Sequence, residues 1–295
     1  MLFDIATIVF NALTWAMATF LVASGLTLIF GVLHILNFSH GGFLMLGAYL
    51  LFSVTQVIGD DLSFAGYLAV SVGAGIVIAA AGLIVDLVVF RRLRNVESAY
   101  VLIATYALLL LVEGLVKGIW GAGNHLVVPP EILIGAVFVG PVLLPYYSLF
   151  VIVCGVLAFI GLEWFLFHTT PGKLVQAVAI DPWMSSLLSV NVERVYSLTI
   201  VIGFALAGLA GGLLAANQGL SPQLGGISII QAFGAIIVGG MGSIRGAFYA
   251  AILLGLIDAF GTALFPAFPG IFFYVALAGM ILVRPKGLIS SEFAR

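Results

Sequence analysis

The sequence predicts an all-α polytopic membrane protein, and three observations support this prediction. Of 295 residues, 63% are hydrophobic and only 7% are charged, whereas about a quarter of an average soluble domain is charged. The apolar residues also fall into runs close to the about 20 residues that a membrane-spanning helix needs. Two polar, glycine-rich stretches interrupt this pattern. We therefore expect one transmembrane domain over residues 1–295, built from helices with glycine-rich breaks and surrounded by the lipid bilayer.

Composition and charge exclude several classes of protein. Ten Lys and Arg and 12 Asp and Glu residues cannot cover a globular surface, which excludes a soluble enzyme and a disordered protein. A net charge of −2 offers no basic patch for nucleic acid. The single cysteine, Cys154, rules out an intrachain disulfide. The N-terminus carries Asp4, no Lys or Arg and a long apolar run, so we expect a retained span rather than a cleaved signal.

Nine apolar runs are the candidate spans. Most are long enough to cross a bilayer at about 1.5 Å per residue, but the seventh and the ninth are short for a full crossing. We therefore expect eight or nine crossings. The runs cover approximately residues 6–32, 41–58, 64–90, 99–119, 141–167, 195–216, 227–242, 246–265 and 271–283.

Basic residues predict the orientation, because Lys and Arg concentrate in cytoplasmic loops. Loops 59–63, 120–140, 217–226 and 266–270 contain neither residue. With nine crossings, an external N-terminus places every basic loop in the cytoplasm, so we expect the N-terminus outside and the C-terminus inside. The basic residues are Arg91, Arg92 and Arg94 after the third run, Lys173 and Arg194 after the fifth, and Arg284, Lys286 and Arg295 in the tail.

Two polar breaks are the first candidates for a functional site, since interrupted helices often build the substrate path of a transporter. Asn37 or Ser39 could cap a helix that enters at Gly41, and its free N–H groups would then face the break. These residues either line a path for a polar solute or form a capped, buried break without a ligand. The candidate path residues are Asn37, Ser39, His40, Gly41 and Gly42 in the first break, with His34 before them, and Gly239, Gly240 and Gly242 in the second.

Small residues recur every four positions along two of the runs. Such spacing lets helix backbones approach closely in lipid, either within this chain or against a partner subunit. The two stripes are Gly208, Gly212 and Ala216, and Ala247, Ala251, Gly255 and Ala259.

Charged residues inside the apolar runs are a second group of candidates, because each is costly in lipid. Asp258 lies about midway along the eighth run, where it is either a transport or proton-relay carboxylate or a hydrogen-bonded structural group. Glu113 and Lys117 have the spacing of a helical ion pair. Asp86 and Glu163 lie near cytoplasmic ends, where we expect them to reach interfacial water.

Residues 168–194 form the one sizeable polar connection. Pro171 is typical of a helix start, and the apolar residues after it indicate one or two short amphipathic helices. The segment is either an ordinary connecting loop or a contact for a partner protein. No phosphate-binding motif is present, because Gly172-Lys173 is followed by Leu174 and lacks the upstream glycine. The four His residues are too scattered for a metal site, and we expect no cofactor.

Several motifs resemble the permeases of branched-chain amino-acid ABC importers, in particular the smaller of their two permease subunits. The resemblance covers nearly the whole chain. It implies an inner-membrane subunit that pairs with a second permease chain and two cytoplasmic ATP-binding subunits, fed by a periplasmic substrate-binding protein. The motifs are Gly25–Gly31, Leu36–Phe43, Gly47–Tyr49, Gly239–Ser243 with Gly246-Ala247, and Arg284–Leu288.

The resemblance also implies that segment 168–194 couples the permease to the ATPase. Its pattern falls on Gly172, Lys173, Gln176, Ala177 and Asp181. The chain departs from the family at positions where the family has Arg, Ala, Gly-Ile and a final tail Gly. Those positions are Gln176, the stretch Ser185, Ser186, Ser189 and Val190, and Ser290.

Two other functions stay open from the sequence. A self-sufficient secondary transporter or channel would use Asp258 for ion coupling and would treat residues 168–194 as a plain loop. A purely structural or assembly subunit would not need two polar breaks. The substrate also stays open, because relatives of the family carry urea, short amides or other small organic acids as well as amino acids.

Overall fold

A computed structural model describes residues 2–59, 62–94, 96–140, 142–217, 219–285 and 287–289. The chain forms helices almost throughout these ranges. Lys286, Ser290 and Arg295, which the sequence analysis placed in the tail, lie outside them. The helices are α1 (Leu2–Leu33), α2 (Ser39–Ile58), α3 (Phe64–Val85), α4 (Ser98–Trp120), α5 (Tyr146–His168), α6 (Thr170–Ile180), α7 (Pro182–Leu187), α8 (Val192–Leu214), α9 (Leu224–Gly239), α10 (Ile244–Leu264) and α11 (Ile271–Val283).

Seven of the helices in the described ranges are long and apolar enough to cross a membrane, namely α1 to α5, α8 and α10. The helices α9 and α11 are apolar but have only 16 and 13 residues. They correspond to the two runs that were expected to be short. The prediction of an all-α polytopic membrane protein is therefore confirmed, with seven helices of spanning length and two shorter apolar helices among the described residues.

A small hairpin is the one sheet in the described part of the chain, and the sequence analysis did not foresee it. The strands β1 (Ala136–Val139) and β2 (Val142–Pro145) pair antiparallel, with Ala136 opposite Pro145. A short 3-10 turn, Glu131–Leu133, precedes them. The hairpin lies in the connection from α4 to α5, where the sequence analysis placed β1 in loop 120–140 and β2 at the start of the apolar run 141–167.

Contacts between helix termini show which of them lie together at each of the two ends of the bundle. At one end, Arg94 after α3 contacts Glu193 at the start of α8, and Arg245 at the start of α10 contacts Glu163 near the end of α5. We call this the basic end. At the opposite end, the Trp120 indole donates to the Ser53 hydroxyl over 2.8 Å, and a backbone bridge joins the loops after α4 and α8. The helices α3 and α5 therefore end at the basic end, whereas α8 and α10 both begin there, with the shorter α9 returning the chain between them.

The helix α1 lies at the centre of the bundle. In the most apolar stretch of α1, 89% of the residues are buried. In the corresponding stretches of the other helices, the buried share is 22% for α5 and 28% for α3 and α4. The outer faces of α3, α4 and α5 carry the exposed large apolar side chains that suit contact with lipid. The core is therefore built on α1 and the helices packed against it, mainly α10, α8, α5 and α9, while α2 packs mainly on α8.

Close backbone approach explains the small residues of α8. A Cβ atom added at Gly211 would lie 2.0 Å from the Leu44 carbonyl oxygen of α2, and one at Gly208 would lie 2.7 Å from Cβ of Ile78 in α3. Gly212 meets Ser71 of α3 in the same way, at 2.9 Å. The predicted packing role of this stripe within the chain is therefore confirmed.

Candidate functional site

The first polar break is a non-helical segment from His34 to Phe38. His34 adopts a φ of +56°, in the left-handed region, and its N–H donates to the Phe30 carbonyl over 2.9 Å, which ends α1. The segment then runs back alongside α1, because the His40 Nε2 atom lies 3.1 Å from the Val22 carbonyl oxygen. The start of α2 therefore lies beside α1 rather than at its end.

Asn37 organises the start of α2. Its Oδ1 accepts hydrogen bonds from the Ser39 N–H at 3.1 Å and from the Ser39 hydroxyl at 2.6 Å. The predicted cap is not formed, because the helix begins at Ser39 rather than at Gly41 and its N-cap residue is Phe38, without a side-chain cap; the bonds from Ser39 to Asn37 Oδ1 instead form a turn just before the helix. Ser39 and His40, which were expected to precede the helix, already belong to α2, as do Gly41 and Gly42.

Three polar side chains of this region are fully buried with unused hydrogen-bonding capacity. Asn37 Nδ2, His40 Nδ1 and the Tyr49 hydroxyl have no partner within the described residues. Asn37 and His40 are both 0% exposed. Buried polar atoms are normally satisfied, so unpaired ones here need a water, a ligand or a rearranged state of the helix break.

The two glycines of the first break serve helix packing. A Cβ atom at Gly41 would lie 2.2 Å from the Gly225 carbonyl oxygen, at the start of α9. One at Gly42 would lie 3.2 Å from Cβ of Val112 in α4. The start of α2 is therefore wedged between α4 and α9.

The second break is a tight turn from Gly240 to Ser243, between α9 and α10. Gly240 and Gly242 have φ values of +105° and +87°, which favour glycine. The Ser243 hydroxyl accepts from the Gly246 N–H at 2.9 Å and so caps α10. Gly239 lies within α9, where an added Cβ would be 2.3 Å from the carbonyl carbon of Gly246.

The tail folds back onto this second break. The Leu288 N–H donates to the Val238 carbonyl over 2.8 Å, and the Ile289 N–H donates to the Gly239 carbonyl over 3.0 Å. These bonds satisfy carbonyls at the end of α9 that a helix leaves unpaired. The tail residues Leu288 and Ile289 therefore pack against the second break through two backbone hydrogen bonds.

Parts of both breaks border one cavity at the basic end, but its lining residues do not include the candidate path residues Asn37, Ser39, His40, Gly41, Gly42, Gly239, Gly240 and Gly242. Its volume is about 520 Å³. We call it the basic-end cavity. It is lined by Phe30, Leu33, His34, Ile35 and Leu36 from the end of α1 and the first break, by Met241 from the second break, by Leu93, Arg94 and Val96 after α3, by Ser98, Ala99, Val101 and Leu102 of α4, and by Tyr196 of α8.

A buried charge network adjoins this cavity, and the sequence analysis misjudged it. Asp86 is 0% exposed. Its Oδ1 accepts from Arg94 at 2.7 Å, its Oδ2 accepts from the Ser197 hydroxyl at 2.5 Å, and Arg91 lies 3.5 Å away. The expectation that Asp86 reaches interfacial water is therefore wrong. A π-helical turn, Asp86–Phe90, turns it inward toward α8.

Glu163 remains partly exposed, unlike Asp86, and has a basic partner that the sequence analysis did not predict. Its carboxylate forms a bidentate ion pair with Arg245, in which Nε donates to Oε1 over 2.6 Å and Nη2 donates to Oε2 over 2.9 Å. It retains 23% exposure. The predicted pair of Glu113 and Lys117 is confirmed, although its atoms are 4.0 Å apart.

Asp258 lies away from the two breaks. It is fourteen residues beyond the start of α10, or about 21 Å along the helix. Its Oδ1 accepts from the Phe273 N–H at 3.1 Å, in the first turn of α11. It also lines a separate cavity of about 390 Å³ with Asn11 and Thr262. This geometry gives Asp258 a helix-capping contact, while its role on a path stays a prediction.

The connecting segment forms the two short helices expected for it. Thr169 caps α6 by accepting from the Gly172 N–H at 3.1 Å, and Asp181 caps α7 by accepting from the Met184 N–H at 2.9 Å. Val175 and Val178 are 0% exposed and face the bundle. The outer surface of the segment is apolar and exposed, through Leu174, Ile180, Trp183, Met184, Leu187 and Leu188.

The five candidate coupling residues divide into two groups. Gly172 and Gln176 hold α6 against α5, since a Cβ at Gly172 would lie 2.0 Å from the Phe165 carbonyl oxygen and the Gln176 amide donates to the Leu166 carbonyl. Lys173, Ala177 and Asp181 are exposed. The exposed apolar side chains of α7, with Trp183 at 68%, were not among the candidates. The spacing of the apolar residues in α7 does not distinguish the face that contacts the bundle from the face that is exposed.

Comparison with known proteins agrees with this architecture. The high-affinity branched-chain amino acid transport system permease protein LivH of Salmonella typhimurium is 30% identical over 290 residues, covering 95% of this chain and 94% of the relative. The protein BraD of Pseudomonas aeruginosa, with the same description, is 30% identical over 287 residues, with coverage of 95% and 94%. The probable branched-chain amino acid transport permease protein LivH of Methanocaldococcus jannaschii is 27% identical over 308 residues, with coverage of 97% and 92%.

No solved structure matches the chain significantly. Residues 8–284 match the family described as the branched-chain amino acid transport system permease component. This match covers nearly the whole sequence and includes both breaks, the connecting segment and the start of the tail. The chain therefore belongs to the branched-chain amino acid transport system permease family.

Proposed function

We propose that this chain supplies half of the translocation path of a bacterial ABC importer for branched-chain or related small amino acids. The observation that carries the proposal is that His34, Ile35 and Leu36 of the first break and Met241 of the second line one cavity at the basic end. Path segments of this kind are tolerated in a membrane protein where they line a cavity. The relatives' descriptions support the substrate class.

Further components complete the importer. A permease component of a transport system works with other subunits, which we propose to be a second permease chain, two cytoplasmic ATP-binding subunits and a periplasmic substrate-binding protein. The sequence has no phosphate-binding motif of its own, which supports ATP hydrolysis by separate chains. The binding protein would deliver the solute to the loops of the opposite end, chiefly residues 120–140.

The path residues are those of the first break, together with the glycines of the second. Asn37, Ser39 and His40 are buried polar groups at the start of α2, and two of them keep unpaired nitrogen atoms. A passing zwitterion could use such groups in place of its hydration shell. The turns at Gly240 and Gly242 would act as hinges, since glycine adopts their positive φ at no steric cost.

Coupling to ATP hydrolysis runs through α6 and α7. The exposed apolar surface of α7 is contiguous in sequence with the exposed Lys173, Ala177 and Asp181, which supports a protein contact there. The basic end would then be the cytoplasmic one, in the inner membrane. Its share of the Lys and Arg residues supports that orientation, with the N-terminus outside and the C-terminus inside.

Reconstitution of the whole complex tests this function. The chain and its co-encoded neighbours would be placed in proteoliposomes, and uptake of radiolabelled leucine, phenylalanine and urea would be compared. We expect leucine uptake that depends on both ATP and the binding protein. Uptake of urea in preference to leucine would contradict the proposed substrate class while retaining the importer class.

A further inference from the structure

A groove on the surface of the bundle lies between α1 and α10, away from both polar breaks. Its volume is about 390 Å³. We call it the α1–α10 groove. On α1 its wall is formed by Ile8, Asn11, Ala12 and Trp15. Their spacing of three, four and seven positions places them on one face of the helix, so the groove follows α1 for about two turns.

The opposite wall of the groove belongs to α10. It includes Gly255, Asp258, Ala259 and Thr262, which share one face of that helix by the same spacing. The two helices touch at the floor of the groove, where a Cβ atom added at Gly255 would lie 2.8 Å from the Ala12 carbonyl oxygen. Because Ala12, Gly255 and Ala259 have small side chains, the backbone of a third helix can approach both walls closely.

Three polar side chains of the groove have hydrogen-bonding capacity that no other described residue uses. Asn11 is exposed, and neither its amide nor the Thr262 hydroxyl bonds to another described residue. Asp258 is partly buried, and its Oδ1 accepts from the Phe273 N–H at 3.1 Å. Its Oδ2 has no partner in the same part of the chain. The groove therefore presents an amide, a hydroxyl and a carboxylate oxygen to its surroundings.

These polar groups lie at the depth of the hydrocarbon core when each span is centred in the bilayer. Asp258 is four residues beyond the midpoint of α10, or about 6 Å along the helix. Asn11 is eight residues before the midpoint of the α1 span, or about 12 Å. Both distances fall within the about 15 Å of hydrocarbon on each side of the bilayer centre. Lipid chains offer no hydrogen bond at this depth, and the headgroups lie farther out.

The surface near the groove is apolar, as contact with lipid requires. Ile5 of α1 is 42% exposed, and Ile257 of α10 is 37% exposed. Polar groups left in contact with hydrocarbon are costly, so protein rather than lipid is the better cover for the groove. Of the proposed partners, the ATP-binding subunits and the binding protein lie outside the bilayer. The second permease chain is the partner that has helices at this depth.

We propose that a transmembrane helix of the second permease chain lies in the α1–α10 groove and contacts Asn11, Asp258 and Thr262. This helix carries a hydrogen-bond donor for Asp258 Oδ2, because that carboxylate is the one formal charge among the residues that line the groove. The inference rests on the proposed function, because that function requires a second permease chain. It assigns Asp258 to subunit assembly rather than to ion coupling.

Photo-cross-linking in the complete complex tests the occupant directly. Ala263 is exposed at the edge of the groove and is replaced by p-benzoylphenylalanine. We expect irradiation to join this position to a membrane-spanning segment of the second permease chain, which mass spectrometry identifies. The matched control carries the same probe at Leu157, which is 61% exposed in the middle of α5, and should give no protein adduct. An adduct with a second copy of this chain, an adduct with lipid alone, or equal protein adducts at both positions would overturn the proposal.

The variant Asn11→Leu tests the polar contact. The lone chain in detergent should unfold at an unchanged temperature, because the Asn11 amide has no partner within its described part. The tagged variant should recover the second permease chain about three- to tenfold less efficiently, as for the loss of one hydrogen bond between membrane helices. Thr14→Val is the control, because its hydroxyl bonds within α1 to the Phe10 carbonyl at 3.0 Å. Equal recovery by the two variants would remove Asn11 from the interface.

The wild-type complex separates this inference from the proposed function. If the wild-type chain recovers no second permease chain, the proposed assembly is wrong and the occupant of the groove with it. If it recovers that chain but the probe at position 263 gives no adduct with it, the groove assignment alone is wrong. If the adduct forms but the complete complex shows no ATP-driven leucine uptake, the interface stands and the proposed function is wrong.

Discussion

Arg94 and Asp86 form a buried ion pair in which the guanidinium Nη2 donates to the carboxylate Oδ1 over 2.7 Å. Because Nη1 contacts Glu193 at the start of α8, the pair joins the end of α3 to the helix that follows the α6–α7 segment. Arg94 also lines the basic-end cavity. One side chain therefore links the proposed ATPase contact to the proposed path.

Loss of the Asp86 carboxylate should destabilise the chain strongly. In Asp86→Ala the buried Arg94 loses its one buried counter-charge and keeps only the exposed Glu193, and breaking a buried pair from one side costs about 3–5 kcal/mol. Thermal unfolding of the purified chain in detergent measures the effect. Glu97→Ala, which removes an exposed carboxylate nearby, is the control and should unfold at nearly the unchanged temperature. Equal midpoints for the two variants would contradict the structural role of the pair.

Glycine substitutions test the packing at the first break. Gly41→Ala places a Cβ 2.2 Å from the Gly225 carbonyl oxygen. We expect a loss of about 1–3 kcal/mol, as for overpacked interiors. Gly118→Ala in α4 is the matched control, because nothing lies within 4 Å of its added Cβ, and it should be neutral or stabilising by up to about 1 kcal/mol. Thermal unfolding in detergent compares the stability of the two variants. An unchanged unfolding temperature for Gly41→Ala would contradict the described contact between α2 and α9.

Much of the fold follows from the sequence because lipid imposes simple rules. The lengths of the apolar runs predicted the long apolar helices and also predicted that α9 and α11 would be short. Helix-start chemistry predicted α6 at Pro171, and the spacing of Gly208 and Gly212 predicted close packing. Each of these depends on residues near one another in the chain. The hairpin was missed because its strands, Ala136–Val139 and Val142–Pro145, are too short to show a clear alternating pattern.

The charge network was missed because it depends on distant residues. Asp86 lies near the end of an apolar run, where a carboxylate usually reaches water. Its partner Ser197 is 111 positions away and carries no signal in the sequence. The basic-end cavity is likewise formed by five separate stretches of chain. By contrast, Asn37, Ser39 and His40 were found as candidates because polar residues without charge are unusual between two apolar runs.

Substitutions in the first break test the path. We expect Asn37→Ala and His40→Ala each to lower ATP-driven leucine uptake by about tenfold or more, equal to about 1.4 kcal/mol, because each removes a buried polar group beside the path. Ser24→Ala is the control, since its buried hydroxyl bonds only within α1, to the Leu21 carbonyl at 2.7 Å. Complex assembly is checked by gel filtration. Unchanged uptake in both break variants would remove these residues from the path.

The exposed apolar surface of α7 should be needed for the ATP-binding subunits. Trp183→Ala and Leu187→Ala each remove a large exposed side chain, and central apolar contacts of an interface often contribute about 2 kcal/mol or more. We expect the tagged variants to retain their unfolding temperature but to recover much less ATP-binding subunit on co-purification. Leu157→Ala, at an exposed position of α5, is the control. Normal recovery in both α7 variants would place the ATPase contact elsewhere.

Substitutions of Asp258 distinguish an importer subunit from an ion-coupled carrier. Asp258→Asn keeps an oxygen that accepts from the Phe273 N–H, so we expect normal uptake and stability. Asp258→Leu removes this helix cap and should cost about 1 kcal/mol of unfolding free energy. An ion-coupled carrier would instead lose its uptake in Asp258→Asn, because the charge itself would be required. Uptake assays in proteoliposomes distinguish the two results.

The most direct measurement compares leucine uptake by the complete complex with uptake by this chain alone. Proteoliposomes would contain the chain with or without the second permease, the ATP-binding subunits and the binding protein, and each component would be omitted in turn. We expect uptake only in the complete set and only with ATP. Uptake by the lone chain, driven by an ion gradient and insensitive to ATP, would contradict the assignment as an importer subunit.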